Sequence, residues 1–440
     1  MTIPDQTVDE SSDAVLLARR HRLLGRSAPL FYDTPLHIVS ARDVWMYDAQ
    51  GRAYLDAYNN VPVVGHCHPR VVTAIADQAT RLNVHSRYLH ETVLDYAERL
   101  TATFDAVLDM VILTCTGSEA NDVALQIARQ HTGGLGIVCT NQTYHGNTTA
   151  VRDLSTLFSD GESRSPLVRP VTFPNAYRPL RGLSGQALVD AHIEEIVEQI
   201  GAFKAASVKF AGMLACPIFA NEGLPNVPEG YWPRVAQIVR EAGGLLIFDE
   251  VQAGFGRTGH MWGQQRVGVV PDIVTLGKPM GNGYPIAGVV SRAELIEPFR
   301  DEVMYFNTFG ATPVACAAAL AVLDVIAGEA LIDNARTTGQ CLADGMRALQ
   351  SRHPLIGDVR SQGLFLAVEL VEDRETKAPA GRLAKLIVND MKTRGVLISR
   401  VGQFDNILKI RPPLPFRPAH ADHLLNTFDD CLTALKDAAR

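Results

Sequence analysis

The chain has 440 residues, 47% hydrophobic and 20% charged, a balance typical of globular proteins that excludes disordered and fibrous classes. Forty-one Lys and Arg against 48 Asp and Glu leave a formal charge of −7. Broad binding to nucleic acid or to an anionic membrane, which needs clustered cations, is therefore not expected.

In chain order, the polar stretch 1–25 holds no signal-type apolar core, which points to the cytoplasm, and it either frays or forms one helix. Its run Arg19-Arg20-His21-Arg22 reads as a solvated basic face or as a feature that attracts an anionic substrate. Residues 44–58 (VWMYDAQGRAYLDAY) predict two short strands about a turn. His66-Cys67-His68 sit too close together to chelate one ion easily, so a metal is not expected there. Val71, Ile75, Ala79 and Leu82 then keep helical spacing. His85, Arg87 and His90 form either a solvated helix face or a source of positive charge for a site.

Strands are predicted at 110–114, 136–140, 212–215, 244–248, 273–276 and 286–290, with helices at 118–130, 188–200 and 231–241. This alternation predicts an α/β fold with a mainly parallel sheet covered by helices. The Ser-, Pro-, Gly- and Arg-rich stretch 155–187 reads as a surface loop. The apolar run 316–326 is short and broken by Asp324, below the ~20 residues of a membrane span. Beyond it the pattern becomes α+β: helix 331–351, strand 364–370, helix 380–394, strand 396–399 and a helix from Pro418. Three regions follow: an N-terminal segment 1–60 joining a small domain, a large domain 61–325, and a small C-terminal domain 326–440. Seven scattered cysteines without a C-x-x-C pair read mostly as small apolar residues.

Four segments stand at predicted strand ends, where α/β sheets gather ligands. In TLGKPMGNGYP (275–285), Lys278 lies in a turn of glycines and prolines. A desolvated lysine there can act as a nucleophile and form a Schiff base; a solvated loop lysine is the plain alternative. In LLIFDEVQAGFGRTG (245–259), a strand ends in Asp249, either a helix cap or a carboxylate serving a ligand. No periodic helix opens after its G-x-G-x-x-G, so a dinucleotide site is rejected. In TCTGSEANDVALQIARQ (114–130), Gly117 and Ser118 open a helix whose N-terminus can hold an anion, or Ser118 is a simple N-cap. TNQTYHGNT (140–148) offers Tyr144 and His145 for stacking on a flat ligand. A nucleophilic lysine, a carboxylate, an anion-binding helix start and an aromatic ring are together what a pyridoxal 5′-phosphate site requires.

With GSEAND, YHG, FDEVQAGFGRTG, GKPMGNGYP and NTFGATPVACAAALAVLDVI in view, the sequence resembles the class III aminotransferase family of pyridoxal-phosphate fold type I, from about Pro35 to His423. The resemblance implies that Lys278 carries the cofactor and that Asp249 pairs with its pyridine nitrogen. It places Gln252 near the ring hydroxyl, Tyr144 on the ring, and His145 beside them. Gly117 and Ser118 would hold the cofactor phosphate, with Thr308 reaching it from the neighbouring subunit of a homodimer. After Thr308 the chain reads Phe309-Gly310-Ala311-Thr312-Pro313, a departure from the family's usual Gly-Gly-Asn-Pro.

Two more departures bear on the reaction. In LKIRPPL, Lys409 stands where transaminases of this family place an arginine for the substrate carboxylate, and Arg411 follows. In ACPIFANEG, Cys216 replaces a glutamate, with Glu222 as a possible substitute. The nearest likeness is to the ethanolamine-phosphate phospho-lyase branch. It implies elimination of phosphate and ammonia from O-phosphoethanolamine or a similar phosphorylated amine, with Asn59, Arg87, Lys409 and Arg411 as candidate substrate contacts. The alternative is an ω-amine or alanine–glyoxylate type of aminotransferase. A non-catalytic regulator is disfavoured because Lys278 and Asp249 are both present.

Overall fold

The computed structural model describes residues 13–159, 161–163 and 165–438. Short runs rich in β-branched and aliphatic residues, such as Met110–Thr114 (MVILT) and Leu245–Asp249 (LLIFD), become strands because helices cover both faces of the sheet they join. The order across this seven-stranded sheet is Met110–Thr114, Ala287–Ser291, Ile273–Leu276, Leu245–Asp249, Phe210–Ala215, Gly136–Thr140, Val168–Val171. Ala287–Ser291 runs antiparallel to both neighbours and the remaining pairings are parallel. The carboxyl ends that carry the candidate residues therefore share one edge of the sheet.

Two expectations need correction. The stretch 155–187 is not wholly a loop, since Val168–Val171 (VRPV) forms the edge strand beside Gly136–Thr140. A proline is tolerated there because an edge strand has one unpaired side. Ser118 is not the N-cap of its helix. The helix spans Gly117–Thr132, and the Thr116 side chain accepts from the Glu119 amide at 3.2 Å. Ser118 is thereby released from capping and its hydroxyl accepts from the Asn147 amide at 3.1 Å. At the N-terminus, residues 13–24 of the 1–25 stretch form the helix Asp13–Leu24, and residues 1–12 lie outside the described residues.

The hairpin Trp45–Asp48 and Ala53–Asp56 forms as its turn predicts, and Ala53–Asp56 also pairs in parallel with Val396–Leu397. A separate antiparallel sheet holds Ile356–Ser361, Leu366–Leu370, Ile407–Ile410 and Ser399–Val401 in that order. Just past Ile407–Ile410 the chain is pinned to the N-terminal segment, Arg411 N donating to Ala57 O at 2.9 Å and Leu414 N to Val63 O at 2.8 Å. This tie brings Lys409 and Arg411 to the sheet edge where Lys278 lies.

The Ala-rich helix Pro313–Gly328 is buried along most of its length, with Val322, Val325 and Ile326 in the core. Each such side chain contributes about 1.5–3 kcal/mol by leaving water. Among the described residues no single helix is long and apolar enough to cross a membrane.

Candidate active site

Five strand ends converge on one cavity. Gly117 and Ser118 enter from the helix after Met110–Thr114, and Tyr144 and His145 from the loop after Gly136–Thr140. Cys216 and Asn221 follow Phe210–Ala215, Asp249 and Gln252 close Leu245–Asp249, and Lys278 follows Ile273–Leu276. Seven residues named from the sequence thus line one space: Gly117, Ser118, Tyr144, His145, Asp249, Gln252 and Lys278.

Local backbone explains the meeting. A Cβ on Gly277 would lie 3.2 Å from Gly117 N, so a side chain there would crowd the helix start against the lysine turn. Lys278 itself adopts φ of +22°, a conformation that side chains seldom take and that costs about 1–3 kcal/mol. Gly146 has φ of +146°, and a Cβ there would stand 2.4 Å from Ser118 Oγ. The cradle beside the helix N-terminus is open because that position lacks a side chain.

Asp249 is held on several sides. His145 Nδ1 lies 2.7 Å from Asp249 Oδ2, Asn121 Nδ2 donates to the same oxygen at 3.0 Å, and Val251 N donates to Oδ1 at 3.0 Å. Thr275 fixes Asn121 by donating to its Oδ1 at 2.6 Å. Burial alone raises the Asp249 carboxyl, but the hydrogen bond and charge of His145, with Lys278 and Asn121 behind them, hold it below the usual carboxylate range. The Lys278 amine is lowered chiefly by burial, with Asp249 opposing and Arg411 reinforcing the shift. Such an arrangement sets a buried amine, lowered from its ordinary value, beside a fixed negative charge. Asn121 and Thr275 were not singled out in the sequence reading; an Asn inside a helix, seven residues past the strand end at Thr114, carries no distinctive local signal.

Lys409 and Arg411 are both buried. Lys409 Nζ donates to Gln252 Oε1 at 3.1 Å and to Asn221 Oδ1 at 3.2 Å. Arg411 also donates to Gln252 Oε1, and its Nε donates to Tyr58 O at 3.1 Å. Both ends of the Gln252 amide are thereby engaged, because its Nε2 donates to Asn221 Oδ1 at 3.1 Å. Among the described residues, no carboxylate comes within 4.0 Å of either cation. Burial, then the charges of Arg411 and Lys278, push the Lys409 amine well below its ordinary value.

Glu222 does not face these cations as a substitute for a missing glutamate. Its Oε1 accepts from Thr140 Oγ1 at 2.8 Å and its Oε2 from the Asn221 amide at 3.1 Å. Asn221, absent from the sequence reading, occupies that place instead.

Lys409 and Arg411 do not line this cavity themselves but border it through Gln252 and Asn221, and three further candidates stay outside it in their own chain. Asn59 turns its Nδ2 to Asp56, at 3.2 and 3.1 Å from the two carboxylate oxygens. Arg87 is exposed, its guanidinium 3.7 Å from the centre of the Phe306 ring. Thr308 is exposed in the neighbouring loop. His66 pairs with Asp56 at 2.7 Å, while His68 caps the helix Pro69–Ala79.

An open α/β sheet with a buried lysine, an ionised aspartate and a glycine-opened helix start at one edge defines a site built for a phosphorylated pyridine cofactor. The family model for "Aminotransferase class-III" matches residues 30–432, and the chain belongs to that family. Its cofactor is pyridoxal 5′-phosphate, and it is a lyase or an aminotransferase. The chain is 45% identical to a phospholyase from Arthrobacter solved in complex with phosphoethanolamine, with a TM-score of 0.92 covering 95% of this chain and 99% of that one. It is 35% identical to ethanolamine-phosphate phospho-lyase homolog 1 of Caenorhabditis elegans, over 98% of this chain and 95% of the relative. It is 37% identical to alanine–glyoxylate aminotransferase 2-like of Drosophila melanogaster, over 97% of this chain and 88% of the relative.

Proposed function

We propose that the protein eliminates phosphate and ammonia from O-phosphoethanolamine or a closely similar phosphorylated amine, leaving an aldehyde. The observation that carries the reading is the pair Lys409 and Arg411, buried on neutral Gln252 and, for Lys409, neutral Asn221, with no carboxylate partner among the described residues. A buried guanidinium without an anion, beside a buried amine that an anion would help to keep its proton, calls for one, and a phosphate dianion matches the two charges. The Arthrobacter and Caenorhabditis relatives support the same chemistry.

The residues of the cavity fit pyridoxal phosphate. Gly117 and Ser118 offer the N-terminus of a 16-residue helix to its phosphate. Tyr144 would stack on the ring, Gln252 would border it, and Asp249 would keep a negative charge at the ring nitrogen, all three lining the cavity. When bound, the cofactor supplies an electron sink for charge developing at the carbon next to the substrate amine. Lys278, whose amine burial lowers from its ordinary value, would bind the cofactor and then take the proton from that carbon. As the C–H bond breaks, the C–O bond to phosphate on the adjacent carbon breaks too, and phosphate leaves carrying the electron pair. Lys409 and Arg411 hold the departing anion. Water then completes the release of ammonia and aldehyde, so one phosphorylated amine and one water give three products.

Thr308 sits exposed beside Phe309, which is 71% exposed, and near the exposed Arg87–Phe306 pair. We propose that this face docks on a second copy, Thr308 reaching the partner's cofactor phosphate and Arg87 its substrate, in a cytoplasmic homodimer. The division of the chain at about residue 325 into a cofactor-binding part and a smaller C-terminal part belongs to the same proposal. A panel of plain amines, amino acids and phosphorylated amines tests the function. Turnover confined to phosphorylated amines supports it. Amino transfer from unphosphorylated donors to pyruvate or glyoxylate, without phosphate release, replaces it with the aminotransferase reading.

A further inference from the structure

We propose that Asn221 sets the charge selectivity of the site, by meeting Lys409 with a neutral oxygen where a carboxylate would cancel its charge. The inference rests on the lyase reading for the identity of the substrate, though its test does not need that reading to hold.

The orientation of the Asn221 amide follows from its partners. Lys409 is a donor only, so the atom 3.2 Å from its Nζ must be the Asn221 oxygen. That same oxygen accepts from Gln252 Nε2 at 3.1 Å, and Asn221 Nδ2 donates to Tyr144 O at 3.2 Å. Its backbone N donates to Glu222 at 3.1 Å. Asn221 is therefore locked between the loop carrying Tyr144, the Gln252 amide and the strand carrying Lys409.

The charged and titratable groups around Lys409 come from every element packed on it. Arg411 and Lys278 are cations that add repulsion, whereas the thiol of Cys216 and the carboxyl of Glu222 act in the opposite sense. Glu222 is committed to Thr140 and to the Asn221 backbone, and burial raises its carboxyl toward the neutral form. Asp249 is committed to His145 and Asn121. The hydrogen-bonding needs of Lys409 are thus met while its charge is not balanced. A carboxylate at position 221 would be isosteric, would lie within direct ion-pair distance, and would leave the site nearly balanced before substrate arrives. With asparagine, the balance is left to the ligand, and two cations favour a dianion over a single carboxylate.

The test uses the holoenzyme and inorganic phosphate, with binding followed by calorimetry alongside the KM for O-phosphoethanolamine. N221D is expected to weaken phosphate binding by about thirtyfold or more, because it supplies a competing charged partner for Lys409. N221A removes the same hydrogen bonds without adding charge and is expected to lose at least about tenfold less than N221D. Wild type should also bind phosphate at least about tenfold more tightly than formate, a comparison that stands even if N221D fails to fold. Equal losses in both variants, no loss in either, or formate bound as tightly as phosphate would each overturn the proposal. Phosphate binding that is lost in N221D alone, with O-phosphoethanolamine left unconverted, would keep this inference and remove the lyase reading. Conversion of O-phosphoethanolamine with phosphate affinity equal in all three proteins would do the reverse.

Discussion

At the residue scale, Lys278 is the group on which most depends. Borohydride treatment of the holoprotein should fix the cofactor to Lys278, read by peptide mass; fixation elsewhere would contradict the assignment. K278A should lose about a thousandfold or more in turnover, since in the proposed reaction the amine would both bind the cofactor and move the proton. Turnover within tenfold of wild type would be incompatible with that double role. D249N should lower kcat by about a hundredfold while changing cofactor affinity less, because a ring nitrogen without its anion is a weaker electron sink.

Lys409 allows a prediction about stability and pH. Its amine is lowered in the folded chain, chiefly by burial, so the unfolded chain holds more protons between that lowered value and the ordinary lysine value of about 10.4. Stability contributed by this group therefore rises with pH across that window. K409M should raise the neutral-pH stability by about 1–3 kcal/mol and flatten the rise of melting temperature with pH. Lys278 is lowered for the same first reason and retains part of the slope. K409M should also raise the KM for O-phosphoethanolamine by about tenfold or more. A variant as pH-sensitive as wild type, with unchanged KM, would show that Lys409 is neither strained by burial nor used.

At the scale of elements, strands and helices with a single strong pattern were legible and mixed ones were not. Gly136–Thr140, Ile273–Leu276 and Tyr231–Glu241 have the limits their apolar spacing predicts. Val168–Val171 was hidden because Arg169 and Pro170 break its apolar pattern, and its strand character comes from pairing with Gly136–Thr140. Ile407–Ile410 (ILKI) escaped because Lys409 is a charged residue inside a buried strand. The rule it breaks is the reason it matters, since local consistency is given up where a site needs a cation. The loop after Gly136–Thr140 offers its own test. G146A should weaken cofactor binding by about tenfold or more and destabilise by about 1–3 kcal/mol, because its Cβ would press on Ser118 at a φ that alanine resists. Unchanged cofactor affinity would remove Gly146 from the cradle.

At the scale of the whole molecule, the cofactor cavity was legible because each of its parts follows a strand end within a few residues. The anion site was only half legible. Lys409 and Arg411 could be named from LKIRPP, but Asn221 depends on how the loop after Phe210–Ala215 folds against a strand nearly 190 residues later. The roles proposed for Arg87 and Thr308 require a second copy, and Tyr88, Leu89 and Met304 stand 64%, 97% and 93% exposed on the same face. That apolar surface is what the proposed interface would cover. Light scattering of the holoprotein at micromolar concentration should give a dimer, and a strict monomer would leave Thr308 and Arg87 without a role. The central claim is that bond breaking to phosphate outruns amino transfer. It is tested most directly by one incubation of holoenzyme with O-phosphoethanolamine and pyruvate, measuring phosphate, acetaldehyde and alanine together. The account predicts phosphate and acetaldehyde in equal amounts with no alanine; alanine formed without phosphate release would contradict it.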